Sequence, residues 1–134
     1  MTLHEVEQGL REIRVREAVP FNFLASKRLY CNSIYHVERG ENYTFSTLLK
    51  YAYYLNARVE VDGVHVADCE ELGELLKKKR QAAGHSLRTL SLAAGLTEHQ
   101  VINIEHGRGY TKLNFVKYIG IIPVDFNLSE LMYD

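Results

Sequence analysis

Four side chains within six residues, Glu98, His99, Gln100 and Asn103, are of types that can read a base edge, and they lie in the stretch GLTEHQVINIEHG from Gly95 to Gly107. The amides of Gln and Asn carry a donor and an acceptor side by side, which matches adenine in the major groove, and a Glu carboxylate can accept from cytosine. Ile102 sits among them with an apolar surface suited to a thymine methyl. Catalytic chemistry finds no comparable footing. The chain has no nucleophile-base spacing, no paired carboxylates and no phosphate-cradling glycine loop, so the expectation is that it is not an enzyme. His99 and His106, seven residues apart without acidic or cysteine company, do not make a metal site. Cys31 and Cys69 lack ligand spacing, and both are expected as buried thiols. No cofactor is expected.

A chain of 134 residues that is 46% hydrophobic and 25% charged can bury a core and stay folded. No basic leader precedes an apolar core near the N-terminus, and no run approaches ~18 apolar residues, so the expectation is a cytoplasmic protein without membrane contact. Net charge is −1, which gives no global attraction for nucleic acid. Residues 1–67 carry eight cations against eight anions, and residues 68–134 carry eight against nine. Binding to DNA would have to be modest in affinity and dependent on sequence.

The elements that must position these side chains are clearest after residue 67. Asp68 with Glu71 forms a capping box before LGELLKKKRQAAG, where Leu72, Leu75, Leu76 and Ala83 share a face. Gly84 ends that helix. Ser86 caps a short helix with Leu87, Leu90 and Ala94 on one side, and Gly95 turns the chain. Thr97 and Gln100 form another capping box for a helix closed by Gly107. Thr111 caps a further helix to Ile119, Pro123 breaks it, and NLSELMY reads as a last amphipathic turn or two.

The run LKKKRQAAGHSLRTLSLAAGLTEHQVINIEHG resembles the phage Cro/repressor, or xenobiotic-response-element, helix-turn-helix family across roughly Cys69 to Ile122. The resemblance implies that Gly95 sets the angle between the second and third helices and that Glu105 pairs with Arg80. Leu87 departs from the pattern, where the family commonly has a phosphate-contacting glutamine, and Arg88 is the available substitute.

A shift of 67 residues superimposes a second, weaker copy, RLYCNSIYHVERG from Arg28 to Gly40. Leu29/Leu96, Glu38/Glu105, Gly40/Gly107, Tyr43/Tyr110, Thr44/Thr111, Lys50/Lys117 and Tyr51/Tyr118 coincide. Its first helix is expected over Leu3–Arg16, with Leu3, Val6, Leu10 and Ile13 inward and Thr2 with Glu5 as the cap. Pro20 is expected at the first position of helix two. Arg28 stands at the turn-glycine position and Tyr30 at the cap, so this copy must turn without the usual chemistry. Between the copies, ARVEVDGVHVAD alternates valines around Asp62-Gly63, which predicts a β-hairpin whose valine face packs on the helices or on a second molecule.

The fold expected is therefore mainly α: two tandem four-to-five-helix, lambda-repressor-like helix-turn-helix units joined by a short β-hairpin. Residues 1–56 form a degenerate unit, 57–67 the hairpin linker, and 68–134 the DNA-binding domain. Base readout falls to Glu98, His99, Gln100, Ile102 and Asn103 in the second unit, and to Cys31, Asn32, Ser33, Tyr35 and His36 in the first. Phosphate contacts fall to Arg88, Arg108, Tyr110, Thr111 and Lys112 in the second, and to Arg39, Asn42, Tyr43 and Thr44 in the first. Glu38 and Glu105 read better as ion-pair or cap partners than as base readers, the KKKR run as a solvated face, and the tyrosines of LLKYAYYL as core or hairpin contacts. The partner expected is double-stranded DNA, and the function that of a prokaryotic or phage transcriptional regulator acting as a pseudo-dimer. The same scaffold also suits a protein-interaction module, an antitoxin or an enzyme inhibitor, with at most one DNA-competent head. The sequence leaves open a homodimer and a protein partner.

Overall fold

The computed structural model describes residues 1–131 and is mainly helical. Among these residues the order is α1 Leu3–Arg16, α2 Phe21–Ser26, α3 Cys31–Glu38, α4 Phe45–Tyr54, β1 Ala57–Val61, β2 Val64–His65, α5 Cys69–Ala82, α6 Leu87–Ala94, α7 Glu98–Glu105, α8 Lys112–Ile119 and β3 Phe126–Glu130.

Helix boundaries follow local capping chemistry. The Thr2 hydroxyl accepts from the Glu5 amide while the Glu5 carboxylate accepts from the Thr2 amide, and Leu3, Val6, Leu10 and Ile13 are buried as their spacing requires. The Thr97–Gln100 box opens α7 in the same way. Asp68 accepts from the Glu71 amide, but the Glu71 carboxylate reaches back to the Ala67 amide rather than to Asp68. Pro20 is the N-cap of α2 in extended backbone, one position earlier than expected. Ala83 is an exposed C-cap and so lies off the inward face that carries Leu72 and Leu76.

The two halves turn differently between their second and third helices. Gly95 takes the left-handed conformation at φ 71°, which costs glycine nothing. Arg28 takes it too, at φ 64°, against the Cβ clash that makes this region expensive. Buried Leu29, whose amide bonds the Leu24 carbonyl, holds the turn in place of glycine. The first half is also one residue shorter here: Leu24 and Leu29 are five apart, and their counterparts Leu90 and Leu96 six. Helix one therefore aligns at a shift of 66 and helices three and four at 67.

The sheet corrects the reading of the C-terminal segment. NLSELMY is not helical over its described part; Phe126–Glu130 is a strand antiparallel to β1, with Val59 opposite Leu128 and Ala57 opposite Glu130, and Met132 and Tyr133 lie outside the described residues. Phe126 and Leu128 face inward with period two, and β1 needs a backbone partner on its second edge, so pairing wins over a short helix. The order is β2-β1-β3. Asp62 and Gly63 both have positive φ, the two-residue hairpin turn that the dipeptide predicts. Val59, Val61 and Val66 are buried against the helices. Cys69 is buried, but Cys31, expected with it, is only half-buried because α3 turns its first residue outward. No helix among the described residues is long and apolar enough to cross a membrane.

The two turns make a matched pair for experiment. Arg28→Gly relieves roughly 1–2 kcal/mol of left-handed strain and costs roughly 0.5–1 kcal/mol in chain entropy, a net gain of about 0.5 kcal/mol. Gly95→Ala should lose about 1 kcal/mol. Urea midpoints of both variants check the opposite signs.

Candidate nucleic-acid interface

The third helix of each half is anchored at its last residue by a buried ion pair. Glu38, at the end of α3, receives the Arg14 guanidinium through two hydrogen bonds of 2.6 and 2.8 Å and the Tyr51 hydroxyl at 2.5 Å. Glu105, at the end of α7, receives Arg80 at 2.6 and 3.0 Å and the Tyr118 hydroxyl at 2.7 Å. Each triad binds helix three to helix one and helix four. Both glutamates are only 5% exposed, so a missing donor would leave a carboxylate stranded. Burial pushes the Glu38 carboxyl upward, but its bonds from Arg14 and Tyr51 outweigh that and hold it below the ordinary 4.5. Burial, with the neighbouring carboxylates, raises both phenols. Arg14 escapes the repeat comparison because the 67-residue shift sets Ile13, not Arg14, opposite Arg80; the shift of 66 for helix one recovers it.

The outward face of α7 carries Glu98 and His99 exposed, with Gln100, Ile102 and Asn103 half-buried. The Gln100 side-chain carbonyl accepts from the Thr97 amide at 2.9 Å, so that acceptor is committed to the cap. Gly73 permits this placement: a Cβ there would lie 2.2 Å from the Glu105 carbonyl oxygen, so α5 and α7 cross with no side chain between them.

The corresponding face of α3 is different in kind. Asn32 and His36 are exposed and Cys31, Ser33 and Tyr35 half-buried. The Tyr35 ring packs edge-on against Phe21 at 5.4 Å with the Arg39 guanidinium 5.1 Å above it, while Arg14 lies 4.7 Å over Phe21. Tyr35 is thus pinned in a stack. His36 Nδ1 is 2.6 Å from the Glu41 carboxylate.

The residues expected at phosphates divide into three groups. Arg88, Arg108, Arg39 and Thr44 are exposed, and Thr111 is half-buried with its hydroxyl accepting from the Asn114 amide. Asn42 is exposed but its side-chain oxygen accepts from the Leu113 amide at 3.0 Å, capping a helix of the other half. Tyr43, Tyr110 and Lys112 face inward, contrary to expectation. Tyr43 is 7% exposed and donates to Glu7 at 2.6 Å; Tyr110 is 5% exposed in an aromatic stack with Phe45 and Phe115. Lys112 Nζ lies 2.7 Å from the Glu7 carboxylate and 3.0 Å from the Gly40 carbonyl. The position before helix four is the seam between the halves, and apolar or charge-compensated side chains are what a seam can bury.

That seam is reciprocal. Thr44 and Thr111 form an antiparallel bridge, in which the Phe45 amide donates to the Tyr110 carbonyl at 2.9 Å and the Lys112 amide to the Tyr43 carbonyl at 2.8 Å. Equivalent residues meeting antiparallel define a local two-fold axis, and the β1–β3 pairing, in which Glu60 lies opposite Asn127, its counterpart at the 67-residue shift, supplies a second such crossing.

No protein family model, curated protein or solved structure matches this chain. Among the described residues there is also no cluster of three or more His, Cys, Asp or Glu side chains able to hold a metal.

Replacing Glu38 by Gln should destabilise the protein by about 3–5 kcal/mol near neutral pH, because Arg14 loses its buried counter-ion. The native carboxyl is depressed, so its contribution is present above the ordinary 4.5 and fades as pH falls through the lower folded value. The stability gap between wild type and Glu38→Gln should therefore narrow below pH 4.5, read from urea midpoints across pH; a gap that stays constant contradicts the ion-pair account.

Proposed function

We propose that this chain is a sequence-specific DNA-binding protein, a transcriptional regulator in which two unequal helix-turn-helix units act as a pseudo-dimer. The observation that carries this is the reciprocal seam at Thr44 and Thr111, flanked by two third helices that are anchored alike and leave polar side chains outward. Two-fold arrangement of two such helices matches the symmetry of duplex DNA, on which half-sites repeat about one helical turn, roughly 34 Å, apart. The major groove admits one helix, so α7 would present Glu98, His99 and Asn103 to base edges while Arg88 and Arg108 reach phosphates. With α3, Asn32 and His36 would serve a second groove segment, flanked by Arg39 and Thr44. Because the two polar sets differ, the half-sites would differ in sequence.

A specific observation also favours interaction with protein. Leu92 is 73% exposed and Leu113 54%, both in the second half, and such apolar exposure on helices suits a protein-interaction module, an antitoxin or enzyme inhibitor that docks on a protein partner. Selection from random duplex DNA decides between the two readings. Enrichment of a site with two unlike half-sites supports the first; no enrichment overturns it and leaves the protein-interaction reading.

On an enriched site, Asn103→Ala should relax discrimination at one base pair at a cost of about 1–3 kcal/mol. Arg108→Ala should weaken all sequences alike and reduce the salt slope by about 1. Equal behaviour of the two variants in salt-dependent binding assays would contradict this assignment of faces.

A further inference from the structure

Lys112 lies in the first turn of α8, beside the seam, where a surface cation would be free to meet a phosphate. Its surroundings are otherwise. The side chain is 15% exposed, its ammonium is shared between the Glu7 carboxylate of α1 and the Gly40 carbonyl just beyond α3, and it lies 5.5 Å over the Tyr43 ring. Glu7 is fully buried and also accepts from Tyr43, while His4 lies 3.4 Å from its other oxygen. One side chain of the second half thus grips two segments of the first: helix one and, at both Gly40 and Tyr43, the loop that joins helix three to helix four.

The pseudo-symmetric position lacks all of this. The counterpart of Lys112 is Phe45, whose ring stacks on Tyr110 at 5.7 Å and on Phe115 at 4.1 Å. The counterpart of Glu7 is Gly73, so the buried hydroxyl of Tyr110, counterpart of Tyr43, meets no carboxylate among the described residues and has the Cys69 thiol beside it instead. A repeat that needed these charges for folding each half would carry them twice. They occur once, and they span the junction.

We infer that Lys112, through its contacts with Glu7 and the Gly40 carbonyl, is a positioning residue that fixes α3 relative to the second half and so sets the spacing of half-sites the protein accepts. This rests on the DNA-binding reading above. A lysine whose charge is already matched by a buried carboxylate has none left to release counter-ions from a phosphate, whereas an exposed cation does. The two roles therefore separate in salt dependence. Adding or removing one base pair between half-sites shifts and rotates them relative to each other, so a rigidly braced pair of helices should discriminate against it by about tenfold or more.

The test uses the full chain, wild type and the paired variant Glu7→Gln with Lys112→Met, which removes both charges together so that neither is left stranded. Binding is measured to duplexes carrying the selected half-sites at the selected spacing and at one base pair more and less, over a salt series. The expected result is that the paired variant keeps the wild-type salt slope and loses spacing discrimination to within about threefold, while Arg108→Ala lowers the slope by about 1 and keeps the discrimination. A paired variant with a reduced slope and unchanged spacing preference overturns the proposal and makes Lys112 a phosphate contact. A second readout is independent of DNA: hydrogen exchange at the Phe45 and Lys112 amides, each bonded to a carbonyl of the other half, should accelerate by about tenfold or more while the α1 and α5 interiors stay protected. If wild type enriches no site, the DNA reading falls and exchange alone judges the brace; unchanged exchange at both amides overturns it.

Discussion

The carboxylates of Glu38 and Glu105 each accept three hydrogen bonds where little water reaches, and the course of both halves follows from satisfying them. A guanidinium must arrive from the end of the first helix with its flat edge toward the carboxylate, which fixes where that helix stops. A phenol must arrive from the fourth helix, which fixes its rotation about its own axis. The third helix ends at the carboxylate itself. With three helices tied to one point, the second has only the remaining groove, and Leu24 and Leu90 fill it at 0% exposure. Apolar burial supplies most of the driving force, but the triad selects which of many compact helical packings is kept.

The two triads match atom for atom, and the seam between the halves does not. Glu7 with Lys112 on one side faces Gly73 with Phe45 on the other. A strict homodimer would have to bury the lysine–glutamate pair twice about one axis, or the phenylalanine twice; a single chain is free to use one of each. The aromatic run from Tyr43 through Phe45, Tyr110 and Phe115 to Phe126 shows the result, a core that passes unbroken from one half into the other and reaches the sheet.

Much of this was legible in residue order where the signal was local. Thr2 with Glu5 and Thr97 with Gln100 located helix starts, Asp62-Gly63 the hairpin turn, and Glu105 with Arg80 a contact that family resemblance implied and the structure contains. What escaped depends on partners distant in sequence. Arg14 was hidden because one residue is missing between Leu24 and Leu29, and a repeat comparison at a single shift cannot register that. The strand at Phe126–Glu130 was hidden because only β1, some seventy residues earlier, makes its period-two pattern preferable to a helical turn. Tyr43, Tyr110 and Lys112 were set on the surface because a loop beside a helix N-terminus is ordinarily exposed; the meeting of two such loops at Thr44 and Thr111 turns them inward. Their polar types are poor guides to burial when a partner carboxylate or a stacked ring comes from the other half.

Joining two unequal heads in one chain has a thermodynamic consequence on the proposed reading. A protein with net charge −1 gains little from non-specific attraction, so neither head alone would hold DNA tightly. Once one head is seated, the other meets its half-site as an intramolecular event, whose effective concentration depends on how well the linkage already matches the spacing. A flexible tether would spread that advantage over many spacings. A seam made of reciprocal backbone bonds, a paired strand and a buried ion pair concentrates it on one. Rigidity at the junction can thus supply the selectivity that weak electrostatics and a sparsely polar α3 face do not.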